Sequence, residues 1–223
     1  MTSHTSRPGP SRPGPSAVAR LADELRRLPP SCGPVRLVAV DGHAGSGKTT
    51  FAGHLAAALG GAPVLHLDDI ASHDALFDWT ARLERQVLAP FRRGEPARCT
   101  PYDWRARAFG PAREVPAAPV VLVEGVGAGR RELRPSLTLL LWMDLPREQS
   151  WDRGRGRDGE EQRDFWHAWV AAEHRHFADD PSRPGAHRLI RQGPEGYEVR
   201  SGPAETPGGT HSVTDSEGPP ESG

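Results

Sequence analysis

The chain has 223 residues, with 28 basic and 29 acidic side chains and a formal net charge of −1. Because there is no basic excess and no block of Lys or Arg, the charge pattern argues against nucleic acid or a membrane surface as a partner. The longest apolar run, residues 137–143, is far too short for a membrane span, and the N-terminus lacks the apolar core of a signal peptide. We therefore expect a cytoplasmic protein; the sequence leaves its oligomeric state open.

The 25 glycines and 23 prolines are concentrated at the two ends of the chain. Residues 1–16 and 201–223 carry almost no apolar side chains, so they cannot bury enough surface to offset the entropy lost on ordering the backbone. We predict one folded domain over residues 17–193. The predicted disordered tails are residues 1–16 and 194–223.

Apolar spacing within the domain predicts alternating strands and helices. The predicted strands are short apolar or β-branched runs at 35–40, 64–67, 120–123, 137–143 and, more weakly, 189–190. The predicted helices carry apolar stripes and comprise 17–28, 51–59, one capped by Asp74, one after Pro146 and one ending before Pro181. Residues 92–118 are irregular and are expected to hold a hairpin. This alternation predicts an α/β fold with a mostly parallel central sheet between layers of helices.

Acidic residues follow four of the predicted strands. They are Asp41, Asp68, Glu124 and Asp144. In open parallel sheets the ligand site lies at the carboxyl ends of the strands, so these acids are expected around one site.

Residues 42–49 read Gly-His-Ala-Gly-Ser-Gly-Lys-Thr, the GxxxxGKT spacing of a phosphate-binding loop (P-loop), between a predicted strand and a predicted helix. In such a loop the glycines let backbone N–H groups converge on phosphate oxygens, and the helix N-terminus adds a favourable dipole. Lys48, the one lysine in the chain, would reach the β- and γ-phosphates, and Thr49 would ligate Mg²⁺. The candidate ATP-binding residues are Gly42, His43, Ala44, Gly45, Ser46, Gly47, Lys48, Thr49 and Thr50.

Two large classes of P-loop protein do not fit. A GTPase needs an Asn-Lys-x-Asp motif to read the base, and the single lysine already lies in the loop. A transporter ATPase carries a Ser-Gly-Gly-Gln signature, which this sequence lacks. A kinase for a small molecule, or another kind of NTPase, remains.

Several motifs in order along residues 35–193 carry a family resemblance. They are VAVDGHAGSGKTTFA, LHLDD, PYDW, VVLVEG and RGRGRD. Together they resemble the uridine kinase and phosphoribulokinase group. The resemblance implies a P-loop NTPase three-layer fold and transfer of the γ-phosphoryl group of Mg-ATP to a small-molecule hydroxyl.

The resemblance implies roles for the acids at two strand ends. Asp68 would be the catalytic base, and a carboxylate at a strand end can indeed orient an acceptor hydroxyl toward the γ-phosphate. Asp69 is the alternate candidate, for the base or for Mg²⁺. Glu124 would lie near Mg²⁺, or would activate water in a plain ATPase. The alternative for Asp68 is a helix-capping or Mg²⁺-associated acid, and the alternative for Glu124 is a helix-capping acid.

Further roles are implied for the hairpin and for a lid. Tyr102 and Asp103 match the family's substrate-binding hairpin, although an aromatic side chain packed on an irregular loop is an equal alternative. Arg153 and Arg157 match a lid over the transferring phosphate, and their spacing of four places both on one helix face. A solvated arginine-rich turn is the alternative for that pair.

The sequence departs from the family pattern at three places. At Ala71, which belongs to the pair after the catalytic acid, the family usually has an aromatic residue. Arg107 occupies the position of a His that reads the base, and His187 occupies the position of an Asp. If Arg107 lines the acceptor pocket, we expect an acceptor with an anionic group or a base that presents two acceptor atoms to the guanidinium; if Arg107 is exposed, the pyrimidine reader is lost. Both cases predict that uridine and cytidine are poor acceptors. We expect a kinase for a hydroxylated metabolite, with uridine as first candidate. A kinase for another metabolite and a regulatory ATPase without kinase activity are the alternatives.

Two clusters near the C-terminus invite other functions. Trp166 and Trp169 are predicted to be core residues rather than a base-stacking platform. His174 and His176 lie on different faces of a helix, so a solvated helix end is predicted there rather than a metal site.

Overall fold

The computed structural model describes residues 16–206, whose strands and helices alternate over most of their length. The strands are β1 (Arg36–Asp41), β2 (Val64–His66), β3 (Ala97–Cys99), β4 (Tyr102–Asp103), β5 (Ala108–Phe109), β6 (Arg113–Val115), β7 (Val120–Glu124), β8 (Leu139–Met143), β9 (Arg188–Gly193) and β10 (Gly196–Ser201). The helices are α1 (Ala17–Arg27), α2 (Lys48–Ala58), α3 (Leu67–Ile70), α4 (Thr80–Leu83), α5 (Ala89–Arg92), α6 (Arg147–Asp158) and α7 (Arg163–Asp179). A π-helical segment joins α4 to α5, and short 3₁₀ turns precede β8, α7 and β9.

Six of these strands form the central sheet, in the order β10–β9–β8–β1–β7–β2. All neighbouring pairs are parallel except β9 and β10, which are antiparallel. The register places Val40 beside Glu124 and His66 beside the same Glu124, so the carboxyl ends of three strands meet at one edge. The predicted α/β class with a mostly parallel sheet is confirmed.

Side chains alternate between the two faces of the sheet, and each face is covered by helices. Val38 and Val40 of β1 pack with α1 and α2, whereas Leu37 and Ala39 pack toward α3, α4 and α5. Strands buried on both faces need apolar residues at nearly every position, which is why the predicted strands read as continuous apolar runs. The result is three layers. No helix within residues 16–206 is both long and apolar enough to cross a membrane.

The structure corrects two predictions. Asp74 does not cap a helix: residues 71–79 are irregular, and the helix carrying Leu83 begins at Thr80. The chain from residue 194 is not all tail, because β10 pairs with β9 from Gly196 to Ser201. Tyr197 and Val199 turn inward in β10 and pack on the α1–α2 layer, which stabilises this edge strand. Ser16 and residues 202–206 are not tail either: the Ser16 hydroxyl caps α1, and the N–H groups of Gly202 and Ala204 donate to the carbonyl oxygens of His187 and Ala186. Residues 1–15 and 207–223 of the predicted tails lie outside the described residues.

Two short antiparallel ribbons form the irregular region before β7. β3 pairs with β6, and β4 pairs with β5. The predicted hairpin is therefore present, as a pair of nested ribbons. The inner ribbon carries Tyr102 and Asp103 and projects over α3 at the carboxyl edge of the sheet.

Candidate functional site

The P-loop connects β1 to α2 at the carboxyl edge of the sheet. Gly47 has φ +93° and caps α2, and Gly45 has φ +81°; both angles lie in the left-handed region that favours glycine. Gly45 also needs to be small, because a Cβ there would lie 2.0 Å from the carbonyl oxygen of Ser150 in α6. The sequence therefore folds locally as the motif predicts.

Lys48 lies across the mouth of this loop. Its buried ammonium group donates to the carbonyl oxygens of Gly42 and His43, each at 2.9 Å. The positive charge and the N-terminus of α2 thus converge on the same concave surface. Such a surface binds the phosphates of a nucleotide through a fixed cation and backbone N–H groups.

Asp41, the acid that ends β1, is used to brace the loop. It is fully buried; its Oδ1 accepts from the N–H groups of Gly42 at 2.7 Å and Gly127 at 2.9 Å, and its Oδ2 accepts from that of Gly129 at 2.8 Å. All of these bonds tie the start of the P-loop to the loop after β7. Asp41 is therefore a structural residue.

Asp144, the acid after β8, also lies outside the reacting region. It forms ion pairs with Arg183 at 3.1 Å and with Arg191 at 3.3 Å. Of the four strand-end acids, the structure thus leaves Asp68 and Glu124 beside the P-loop.

Glu124 lies next to the P-loop threonine. Its buried Oε1 accepts from the Thr49 hydroxyl at 3.0 Å and from Nδ1 of His66 at 2.5 Å. The hydrogen bond to Glu124 raises the pKa of His66 above its usual value, against the opposing effect of burial. Sequence reasoning gave His66 no role, although it stands within the LHLDD motif.

The oxygens of Thr49 and Glu124 suit a hard cation such as Mg²⁺. Within residues 16–206, no three His, Cys, Asp or Glu side chains converge as a metal-ligating cluster. Mg²⁺ is usually held by one or two carboxylates together with phosphates and water.

Asp68 lies in the first turn of α3, directly after β2. Asp68 is an exposed residue by surface area, although many protein atoms surround its carboxyl group. This burial raises the pKa of Asp68, the charge of Glu124 raises it further, and the charge of Lys48 opposes both. Asp68 is thus within electrostatic reach of both the P-loop lysine and the candidate metal ligand.

Asp69, the neighbouring acid, influences the pKa of Cys99 in the outer ribbon. Burial raises the pKa of the Cys99 thiol, and the charge of Asp69 adds to this effect. Its side chain therefore influences the outer ribbon as well as the P-loop side of α3.

Aromatic side chains pack together beside Asp68. The ring of His73 lies 4.9 Å from that of Trp104 and 6.5 Å from that of Phe165, and its Nδ1 is hydrogen-bonded to the Tyr102 hydroxyl at 3.0 Å. The indole N–H of Trp104 donates to the carbonyl oxygen of Asp68 at 3.0 Å, which ties these rings to α3. His73, to which the sequence patterns gave no role, lies in the irregular segment before α4. We call His73, Tyr102, Trp104 and Phe165 the aromatic cluster.

Asp103 and Arg107, two of the predicted substrate residues, lie in the turn of the inner ribbon and not in the aromatic cluster. The Oδ1 of Asp103 accepts from the N–H groups of Arg105 and Ala106, both at 2.9 Å, and these bonds lower the pKa of Asp103. They close the turn, which gives Asp103 a structural role. Arg107 is exposed and has φ +53° at the tip.

The predicted lid residues lie on α6, which packs against the P-loop. Both Arg153 and Arg157 are exposed. Arg157 pairs with Asp158 at 2.7 Å, which raises the pKa of the guanidinium, and the charge of Asp68 adds to this effect. Gly154, between the two arginines, lies under the ring of Trp166, where a Cβ would approach that ring to 2.3 Å.

A second buried carboxylate, Glu173 of α7, contacts the outside of the P-loop. It accepts from four donors, His43 Nδ1 at 2.7 Å, the backbone N–H of Ala44 at 3.1 Å, Trp151 Nε1 at 3.0 Å and Trp169 Nε1 at 2.9 Å. The side chain of His43 therefore points away from the concave face, toward α7. The sequence gives no local signal for Glu173, because its hydrogen-bond donors lie up to 130 residues away in the chain.

The structure confirms the prediction for the two tryptophans near the C-terminus and corrects the prediction for one of the two histidines. Trp166 and Trp169 are buried in a common cluster, which confirms the core prediction. The solvated helix end is wrong for His176, whose ring stacks on Phe77 at 4.6 Å with an interplanar angle of 11°. Burial and the nearby charge of Arg130 lower the pKa of His176.

No family model and no curated protein matches the sequence. Among solved structures, the chain is similar to a possible uridine kinase from Bacillus stearothermophilus, with 20% identity and a TM-score of 0.51 over 67% of this chain and 89% of that chain. It is also similar to a candidate fructose transport system kinase from Silicibacter sp. TM1040, with 24% identity and a TM-score of 0.45 over 64% of this chain and 82% of that chain. The fold and the loop geometry together define a P-loop α/β protein. Within that class, the fold is similar to that of the possible uridine kinase structure.

Proposed function

We propose that the protein is an ATP-dependent kinase that transfers the γ-phosphoryl group to a hydroxyl of a small metabolite. The observation that carries the proposal is the position of Asp68, a carboxylate of raised pKa within electrostatic reach of Lys48 and Glu124 and beside the aromatic cluster. A plain nucleotide switch has no need of a group of aromatic side chains next to such a carboxylate.

The P-loop and its lysine would bind the triphosphate. The ammonium of Lys48 would provide the positive charge, and the N-terminus of α2 would provide backbone N–H donors. Thr49 and Glu124 would hold Mg²⁺, with Asp69 as a further candidate. Bound Mg²⁺ would neutralise charge on the β- and γ-phosphate oxygens.

Asp68 would accept the proton of the acceptor hydroxyl. As the hydroxyl oxygen forms a bond to the γ-phosphorus, the bond from that phosphorus to the β,γ-bridging oxygen breaks, and ADP leaves with the electron pair. A raised pKa makes the ionised carboxylate a stronger base for this step. Arg153 and Arg157 on α6 would stabilise the charge on the transferring group.

The aromatic cluster would contact the rest of the acceptor. Its three aromatic rings and its imidazole pack on one another in this structure, and they would offer ring surface and one hydrogen-bonding group to a planar ring such as that of a nucleoside. Uridine is the first compound to test, since one structural neighbour is described as a possible uridine kinase. Because Arg107 is exposed at the ribbon tip, the imidazole that the family places there is missing, and we expect uridine and cytidine to be poor acceptors. A kinase for another hydroxylated metabolite is the alternative.

The proposed enzyme domain comprises residues 17–193 together with β10, and the proposed location is the cytoplasm, where ATP is plentiful. A direct test measures ADP production from Mg-ATP with and without a panel of nucleosides, pantothenate and sugar phosphates. A kinase gives acceptor-stimulated ADP production that Lys48→Ala abolishes. Slow hydrolysis that no acceptor changes would instead indicate a regulatory ATPase.

A further inference from the structure

Glu173 is a fully buried residue whose four side-chain hydrogen bonds go to the P-loop, to α6 and to α7. Its Oε1 accepts from His43 and from the Trp151 indole, and its Oε2 accepts from the N–H of Ala44 and from the Trp169 indole. Two donors thus belong to the P-loop, one to α6 and one to α7. The carboxylate joins three separate pieces of the chain at one point.

These bonds determine the protonation state of the group. Burial alone would raise the pKa of Glu173, but the hydrogen bond from His43, the charge of Lys48 and the hydrogen bond from Ala44 outweigh it and hold the pKa below its usual value. The residue is therefore an ionised acceptor that needs all its donors, since a buried anion with a missing partner is costly.

The backbone of the first half of the P-loop is held from its inner side and from the strand side. The Lys48 ammonium donates to the carbonyl oxygens of Gly42 and His43, the Ser46 N–H also donates to that of His43, and Asp41 accepts from the N–H of Gly42. His43 and Ala44 are held from the opposite side by Glu173, and the next residue is Gly45, whose left-handed φ of +81° suits a hinge-like position.

We propose that Glu173 is a positioning residue for nucleotide binding: it fixes residues 43 and 44 of the P-loop and ties them to α6 and α7. This inference rests on the proposed nucleotide site but not on the identity of the acceptor. Trp151 and Arg153 are two residues apart and so lie on roughly opposite faces of α6. The bond from Trp151 to Glu173 therefore also sets which face of α6 is turned to the phosphates.

The test compares Glu173→Gln with Asp180→Asn. Gln has the same shape but replaces one acceptor oxygen with an NH₂ group, so two of the four donors lose their partner. Asp180 follows the same helix and accepts from the N–H of Arg131 at 2.8 Å and from Arg134 at 3.3 Å, away from the P-loop. Both variants lose hydrogen bonds at one end of α7, but only the first loses contacts to the loop.

The readout is the Kd of Mg-ADP by calorimetry at 15 °C, on protein whose folding is verified by circular dichroism. Glu173→Gln should raise this Kd by about 10- to 100-fold, the range for hydrogen bonds to a charged group, while Asp180→Asn lowers the melting temperature without changing Kd. Trp151→Phe and Trp169→Phe, which each remove one donor and keep an aromatic ring, provide the test if Glu173→Gln does not fold, and each should raise Kd by severalfold.

A wild-type Kd in folded Glu173→Gln, or in both Trp variants, would overturn the proposal and leave Glu173 as a folding residue only. Because ADP binding needs no acceptor and no turnover, this outcome is distinguishable from failure of the proposed kinase activity. A kinase-inactive protein could still show the expected loss of ADP affinity.

Discussion

Gly45→Ala is expected to separate α6 from the P-loop. The new Cβ would lie 2.0 Å from the Ser150 carbonyl oxygen and 2.8 Å from the backbone N of Gly154, so α6 must shift by about 1 Å or more to restore ordinary contacts. Both opposing atoms belong to the backbone, and Gly154 is itself held under Trp166, so no rotamer change can relieve the clash. The left-handed φ of +81° adds about 1–2 kcal/mol of strain.

Gly60→Ala is the matched control, because Gly60 has φ +86° but no atom within 4 Å of the position that a Cβ would take. It should show the cost of backbone strain alone, a fall in melting temperature of about 2–8 °C with an unchanged Kd for Mg-ADP. Gly45→Ala should lose more stability than this control and should also lower kcat/KM by about 100-fold, because a displacement of about 1 Å misplaces the arginines of α6. The assay pairs thermal unfolding with acceptor-stimulated ADP production. If the two variants have the same melting temperature and activity, the packing of α6 on the P-loop plays no part in function.

Three further predictions concern the site. Lys48→Ala should abolish turnover and weaken ATP binding measured by calorimetry, because the charge at the mouth of the P-loop is lost; wild-type turnover would remove the phosphate-loop argument. Asp68→Asn should lower kcat by about 100- to 10,000-fold with ATP affinity nearly intact, whereas a larger loss in Asp69→Asn would show that Asp69 is the base. Glu173 has a lowered pKa in the folded state, so its stabilisation is present above the ordinary value of 4.5 and is lost as the pH falls through the folded pKa. Urea unfolding from pH 7 to pH 3.5 should show the stability advantage of wild type over Glu173→Gln shrinking with acidity, and an advantage that stays constant would contradict this.

The central sheet and the P-loop were predictable from the sequence because their signals are local. Continuous apolar runs such as residues 35–40 mark strands buried on both faces, and the GxxxxGKT spacing requires a strand before it and a helix after it. Strand β10 also had a usable local signal, the alternation of Tyr197 and Val199, which the Gly- and Pro-rich composition around it obscured.

The missed residues depend on contacts between distant parts of the chain. Glu173 meets its P-loop partners across about 130 positions, and His73 meets Tyr102 across 29, so neither leaves a periodic pattern in the sequence. Asp103 shows the reverse case: a family motif suggested substrate binding, whereas its two short-range hydrogen bonds close a turn. Local patterns thus predicted the proposed nucleotide half of the site, whereas the proposed acceptor half depends on contacts between distant residues.

The proposed kinase activity can be tested by following the transferred phosphoryl group itself. Protein, Mg²⁺ and γ-labelled ATP are incubated with the acceptor panel, and labelled products are separated from ATP and inorganic phosphate for wild type and Asp68→Asn. With the wild-type protein, we expect the label to appear in one phosphorylated acceptor. Asp68→Asn should still bind ATP but should form this product at a rate at least about 100-fold lower. Label released only as inorganic phosphate, at a rate that no acceptor and no change at Asp68 alters, would contradict the assignment of a kinase.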